Sequence, residues 1–261
     1  MDARVASGGA DISYTIEGPA GAPLLLFINS IGTTRDLWVR QLPALTGRYR
    51  VIRYDARGHG RSSTPAGDYT IAQLGGDALA ILDQVGAVSA DVCGISLGGL
   101  TAMWLGVHAP QRVRSLVLAN TAARIGSVQS WTERIAFVQE QGMAALAEIT
   151  MPRWFTEALR TREPETVQTF RAMIETCPTA GYLGCCAALR DENLRDAIKA
   201  IRCPVLAIAG ATDVATPPEA LRFIHEQIAG SRLMTLDAAH LSNVEQHEAF
   251  TTGLLEFLAS P

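Results

Sequence analysis

The run Leu24-Leu25-Leu26-Phe27-Ile28 has no polar side to turn toward water. If it is a strand, it must be covered on both faces, which is the situation of strands in parallel sheets packed between helices. Runs of the same kind, some less pure, recur at residues 49–54, 90–93, 115–119, 205–209 and 232–236. Between them lie stretches with helical patterning, at 70–85, 97–109, 218–228 and 244–258. Residues 11–17 alternate apolar and polar, and read as an early antiparallel edge strand. Strands that alternate with helices imply an α/β fold: a mostly parallel sheet flanked by helices.

One interval breaks this rhythm. Between Asn120 and Val205 there is no clear strand, and residues 129–141, 144–155, 163–176 and 180–190 read as helices. A structureless loop of that length is improbable in a compact domain. Residues 121–199 are therefore expected to form a helical cap inserted into a core made of 1–120 and 200–261. A chain of 261 residues suits one such domain better than two independent ones.

The sharpest chemical signal is Gly94-Ile95-Ser96-Leu97-Gly98-Gly99, a G-x-S-x-G sequence between an expected strand and an expected helix. A nucleophile placed on such a turn is lifted out of the sheet, and small flanking residues relieve the crowding this causes. A serine hydroxyl needs a base and a group to orient that base. Of the five histidines, His59 precedes the serine, His108 ends the following helix, and His225 and His247 fall inside helical patterns. His240 lies in the loop after the last strand, where open α/β sheets place their ligands, and is the expected general base. Asp213, just past the strand at 205–209, is the expected acid, and Asp237 and Asp191 are less well placed. The oxyanion hole is expected from the N–H groups of Leu97 and of Ile31, in the loop Asn29-Ser30-Ile31-Gly32-Thr33. The Gly-rich turn Asp55-Ala-Arg57-Gly58-His59-Gly60-Arg-Ser62 is expected to shape the wall of the site, and Cys93 to be inert core.

On these motifs the chain resembles the α/β-hydrolases over nearly its whole length. Within them it is similar to the 3-oxoadipate enol-lactonases, through the oxyanion loop at 29–33, Trp131-Thr-Glu-Arg134-Ile-Ala-Phe-Val138, Arg153-Trp-Phe-Thr156 and Gly181-Tyr-Leu-Gly-Cys185-Cys186-Ala-Ala-Leu-Arg190-Asp191. The resemblance implies a small lactone substrate bearing a carboxylate, an acyl-enzyme on Ser96, and no metal or cofactor. Arg124, Arg134, Arg153 and Arg190 supply cations to the cap. Arg134 or Arg190 is the expected partner of the substrate carboxylate, and Trp131 a wall for the ring. A broad carboxylesterase or a carbon–carbon bond hydrolase remains the alternative, and a non-catalytic receptor on the same fold a more distant one. A serine at the elbow, where dehalogenases and epoxide hydrolases carry aspartate, disfavours those.

Composition removes other classes. The net charge is −4, and the cations are arginines scattered along the chain plus the single Lys199, so there is no basic tract to bind nucleic acid. No apolar stretch is long enough to span a membrane, and residues 1–14 lack a signal-peptide core. The five cysteines are odd in number and have neither C-x-x-C nor zinc-site spacing, so reduced thiols and a cytoplasmic location are expected. The oligomeric state is not legible.

Overall fold

The apolar runs become the strands of one eight-stranded sheet. In chain order, the computed structural model has β1 (Asp2–Ser7), β2 (Ala10–Glu17), β3 (Leu24–Ile28), α1 (Leu42–Leu45), β4 (Arg50–Tyr54), α2 (Ile71–Gln84), β5 (Ala90–Ile95), α3 (Leu97–His108) and β6 (Val113–Ala119). Then come α4 (Val128–Trp154), α5 (Glu157–Arg162), α6 (Pro164–Glu175) and α7 (Thr179–Asp191). The chain closes with β7 (Val205–Gly210), α8 (Pro218–Gln227), β8 (Arg232–Leu236), α9 (Ser242–Glu245) and α10 (His247–Leu258). The structure describes residues 2–259; Met1, Ser260 and Pro261, at the ends of the expected core, lie outside them.

The strand order is β1-β2-β4-β3-β5-β6-β7-β8. Strand β2 runs antiparallel to β1 and β4, and all other pairs are parallel. Every residue of β3, β5 and β7 is buried, as the apolar runs demand. Helix α3 packs against β3, β5 and β6, and α8 against β7 and β8. Strand β1 is not foreseen: its side chains alternate between exposed and half-buried, so it presents no apolar face. It is joined to β2 through Gly8 and Gly9, both at positive φ, a two-residue turn whose twist suits a hairpin.

The interval between β6 and β7 is helical. The two helices expected at 129–141 and 144–155 are the two halves of α4, separated at Gly142, whose φ of 79° and ψ of 178° interrupt the helix. Helix α5 is additional to the expected four; six residues are too few for a readable period, and it starts because the Thr156 side chain caps the Leu159 N–H. The single helix expected at 244–258 is broken at Gln246, which leaves the short α9 beside the site and α10 against β8. No helix among the described residues is long and apolar enough to cross a membrane.

Candidate active site

Ser96 stands between β5 and α3 with φ 58° and ψ −119°, a conformation that costs an L-residue energy and is kept only where its surroundings enforce it. Here its N–H donates to the Ala119 carbonyl at 3.1 Å and its carbonyl accepts from Thr121 Oγ1 at 2.7 Å. The turn is too tight for side chains beside it. A Cβ on Gly94 would lie 2.2 Å from the Gly98 carbonyl oxygen, and one on Gly98 2.2 Å from that of Ile28.

The residues expected as base and acid meet. His240 Nδ1 lies 2.8 Å from Asp213 Oδ2, and both side chains are almost fully buried. The same Oδ2 accepts from Thr216 Oγ1 at 2.7 Å and Asn120 Nδ2 at 3.0 Å, while Oδ1 accepts from the N–H groups of Ala215 and Thr216 at 2.8 and 3.0 Å. Burial pushes the Asp213 carboxyl up, but the His240 ring and the Asn120 and Thr216 hydrogen bonds outweigh it and hold the pKa at about 2. An ionised carboxylate there receives the Nδ1–H, which leaves Nε2 as the acceptor.

Two residues of this network were not singled out from the sequence. Asn120, at φ 42°, bridges Asp213 to the His240 loop by a second hydrogen bond, 3.1 Å to the Ala239 carbonyl, and accepts from Ser242 Oγ at 2.5 Å. Its only sequence signal is an asparagine at the end of an apolar run, a residue that tolerates the left-handed region. Glu245 is buried; its carboxylate accepts from the Ala239 N–H at 3.0 Å and from the Thr156 hydroxyl, so it ties the His240 loop to the start of α5. Leu241 N–H adds a second tie, 3.1 Å to the Trp154 carbonyl.

The loop after β3 is held by the turn at 55–62. Asn29 Nδ2 donates to the Tyr54 carbonyl at 2.7 Å, Gly32 N–H to His59 Nε2 at 2.9 Å, and Arg35 N–H to Asp55 Oδ1 at 2.7 Å. His59 is buried, which lowers its pKa despite the opposing Arg57 carbonyl and Asp55 carboxylate. A neutral ring can give its Nδ1–H to Arg57 O, 3.2 Å away, and still accept from Gly32. The wall-shaping turn is thus a template for the loop that carries Ile31. Leu97, the other expected oxyanion donor, is the first residue of α3, where an N–H has no preceding turn to bond to.

Ser96, His240 and Ile31 line one cavity of about 150 Å³. Its opposite walls come from α4 and α7: Trp131, Arg134, Arg153, Trp154 and Tyr182. The Arg134 guanidinium lies near the Tyr182 hydroxyl, and the Trp131 indole N–H donates to the Ile125 carbonyl at 2.7 Å. Arg190 does not join them, and its expected role is corrected here. At the far end of α7, its guanidinium is taken by Asp191 at 2.7 Å and Asp68 at 3.1 Å, away from the cavity. Arg153, not singled out beyond its place in the cap, is at the cavity instead. No Asp or Glu is among the lining residues. Nowhere among the described residues do three or more His, Cys, Asp or Glu side chains gather as a metal site would require.

With this geometry established, the chain can be set beside known proteins. Residues 23–246 match the family described as alpha/beta hydrolase fold. The chain is 43% identical to 3-oxoadipate enol-lactonase 2 of Acinetobacter baylyi, over 92% of its own length and 90% of the relative's. Among solved structures, it superposes on the enol-lactonase from Burkholderia xenovorans LB400 with a TM-score of 0.97 at 39% identity, over 99% of this chain and all of that one. It also superposes on a hydrolase from Pseudomonas aeruginosa PA01 with a TM-score of 0.96 at 46% identity, over 99% of this chain and 98% of the other. The chain belongs to the α/β-hydrolase family, and within that family its similarity runs to the enol-lactonases.

Proposed function

We propose that this protein hydrolyses 3-oxoadipate enol-lactone to 3-oxoadipate, in the β-ketoadipate route of aromatic catabolism, with Ser96, His240 and Asp213 as its triad. The observation that carries this reading is the charge of the cavity. Ser96 and His240 share it with two guanidiniums, Arg134 and Arg153, and with no carboxylate. Among the described residues neither arginine is in an ion pair within the protein. A site built for neutral esters has no use for unpaired cations beside the nucleophile, whereas a lactone with an acetate arm supplies their partner. The names of the similar proteins point the same way.

The chemistry follows from the positions. Ser96 Oγ attacks the lactone carbonyl carbon as His240 Nε2 takes its proton, and Asp213 stabilises the imidazolium. The carbonyl oxygen becomes an oxyanion between the N–H groups of Ile31 and Leu97; one such donor is worth about 10²–10³ in kcat. When the tetrahedral centre collapses, the ring C–O bond breaks and the enol oxygen takes the proton from His240. The leaving enol stays attached to the acyl chain, and ketonisation removes the nucleophile that could close the ring again. A water, deprotonated by His240, then attacks the acyl carbon and releases Ser96 and the diacid. We read residues 121–199 as the cap that encloses the substrate over the core. A cytoplasmic location fits five unpaired thiols, four of them buried.

The test is ultraviolet-monitored hydrolysis of 3-oxoadipate enol-lactone beside a neutral aryl acetate. The lactone should be turned over at far higher kcat/KM than the ester, and Ser96→Ala should abolish both. Arg134→Ala and Arg153→Ala should raise KM for the lactone by about 10- to 100-fold, the loss of a charge-assisted hydrogen bond, and spare the aryl ester. A sluggish lactone with rapid ester turnover would keep the triad and refute the substrate.

A further inference from the structure

Five buried side-chain polar atoms among the described residues have no hydrogen-bond partner, and one of them is at the active-site cavity: Ser30 Oγ. Ser30 is 2% exposed and lines that cavity. A buried hydroxyl left unpaired lowers stability, and alanine at the same place would not carry that cost. The residue's backbone is not the reason for a serine here. Its carbonyl, not its side chain, closes the turn by accepting from Thr33 N–H and Thr33 Oγ1 at 3.3 and 2.8 Å.

The sheet register brings Ser30 and Ser96 to the same end of neighbouring strands. Strands β3 and β5 are parallel neighbours, and Ile28 pairs with Gly94. Ser30 and Ser96 each follow this pair by two residues, past the strand ends, and both line the cavity. The start of α3 is pressed against this stretch of β3, since a Cβ on Gly98 would meet both the Ile28 and the Asn29 carbonyl oxygens. Ser30 therefore stands next to Ile31, on the side of the cavity where the charge of the tetrahedral intermediate is expected to develop.

We propose that Ser30 Oγ is a third oxyanion donor, unpaired in the free protein because its acceptor is the oxygen that becomes negative on the substrate. The proposal rests on the serine-hydrolase reading above. A hydroxyl has one rotatable side-chain bond and can turn its hydrogen toward an arriving oxygen, which two fixed backbone N–H groups cannot do. In the acylation step Ser30 gives up no proton. Ser96 loses its proton to His240, the carbonyl oxygen takes the electron pair, and Ser30 O–H donates to that oxygen until collapse returns the pair.

Ser30→Ala and Ser30→Thr are to be measured on the enol-lactone and on a neutral aryl acetate, with thermal unfolding of each variant. Ser30→Ala should lower kcat roughly 10- to 100-fold on both substrates, because both develop the same oxyanion. Its KM should change little, and its melting temperature should hold or rise. Ser30→Thr, which keeps the hydroxyl, should recover most of the rate. Three outcomes overturn the proposal: kcat within threefold of wild type on the aryl ester, a loss confined to the lactone (a contact with the carboxylate arm), or a lower melting temperature in Ser30→Ala (a structural role). Because the aryl ester reads the oxyanion alone, the proposal can be judged even if the lactone proves not to be the substrate. Activity surviving in Ser96→Ala would instead refute the reading on which it rests.

Discussion

Helix α7 meets the turn at 55–62 at a contact that only glycine allows, and Gly181→Ala puts a number on it. In α7, a Cβ on Gly181 would lie 2.1 Å from the Gly58 carbonyl oxygen and 2.4 Å from Gly58 Cα. These are backbone atoms and cannot swing aside. Gly58 itself is held at φ 76°, with its N–H bonded to the Ser63 carbonyl at 2.9 Å, so the helix must retreat by about an ångström. Overpacking of this kind costs about 1–3 kcal/mol. In a protein of this size that is a fall of about 2–12 °C in melting temperature. The sign is the informative part, because Gly→Ala inside a helix with room to spare stabilises by about 0.5–1 kcal/mol. Gly76 in α2 is that control: a Cβ there would meet nothing within 4 Å. Function should follow. Tyr182, the next residue of α7, lines the cavity near Arg134, so KM for the lactone should rise about tenfold, the equivalent of roughly 1.4 kcal/mol of lost binding. The proposed triad follows β5, β7 and β8 and not α7, so kcat should fall much less. Thermal unfolding and steady-state kinetics of the two alanine variants decide the matter. A Gly181→Ala protein that melts as high as Gly76→Ala, with unchanged KM, would show that α7 is not seated where this contact puts it.

Two further expectations concern the supports of the triad. Asp213 has its pKa lowered from 3.8 to about 2, so its contribution is full above pH 4 and is lost as the pH falls through 2. The stability difference between wild type and Asp213→Asn in urea should therefore shrink by about 2 kcal/mol between pH 5 and pH 2; a constant difference would contradict the pairing. His59 Nε2 accepts from Gly32 N–H, so His59→Leu should cut kcat about tenfold by releasing the proposed oxyanion loop, with KM nearly unchanged. His59→Gln, which can still accept, should recover part of that rate, and equal rates in the two variants would assign His59 to packing alone.

The sequence is most legible where a feature has to be written locally. The elbow is such a case: its glycines, its serine and the change from strand to helix all lie within a few residues, because the crowding that demands them is local. Asp213 and His240 can be reached from chain order and from their places after β7 and β8, and they lie within hydrogen-bond distance of each other. Asn120 is harder to see, because its partners, Asp213 and Ala239, are 93 and 119 residues away. Glu245 reads as one polar residue of an apparent helix until the break at Gln246 turns its carboxylate inward. Arg134 and Arg190 are indistinguishable by composition, and the surface acids Asp68 and Asp191 separate them. The cap is visible as an absence of strands, while the Gly142 interruption and α5 depend on single backbone positions.

The division of labour within the site follows from these supports. Asn120 ties the acid to the His240 loop, and Glu245 and the Trp154 carbonyl tie that loop to the second half of α4 and to α5. The stretch that carries Arg153 and Trp154 is thus fixed to the His240 loop. Trp131 and Arg134 lie before the Gly142 interruption, with Ile125 and Tyr182 as their neighbours. Of the two arginines proposed for the carboxylate, Arg153 therefore rests with His240 on one network, whereas Arg134 rests with Trp131 on the other stretch of α4. Substitution of Arg134 should act mainly on KM and substitution of Asn120 or Glu245 mainly on kcat, because energetic coupling falls away between groups that share no partner.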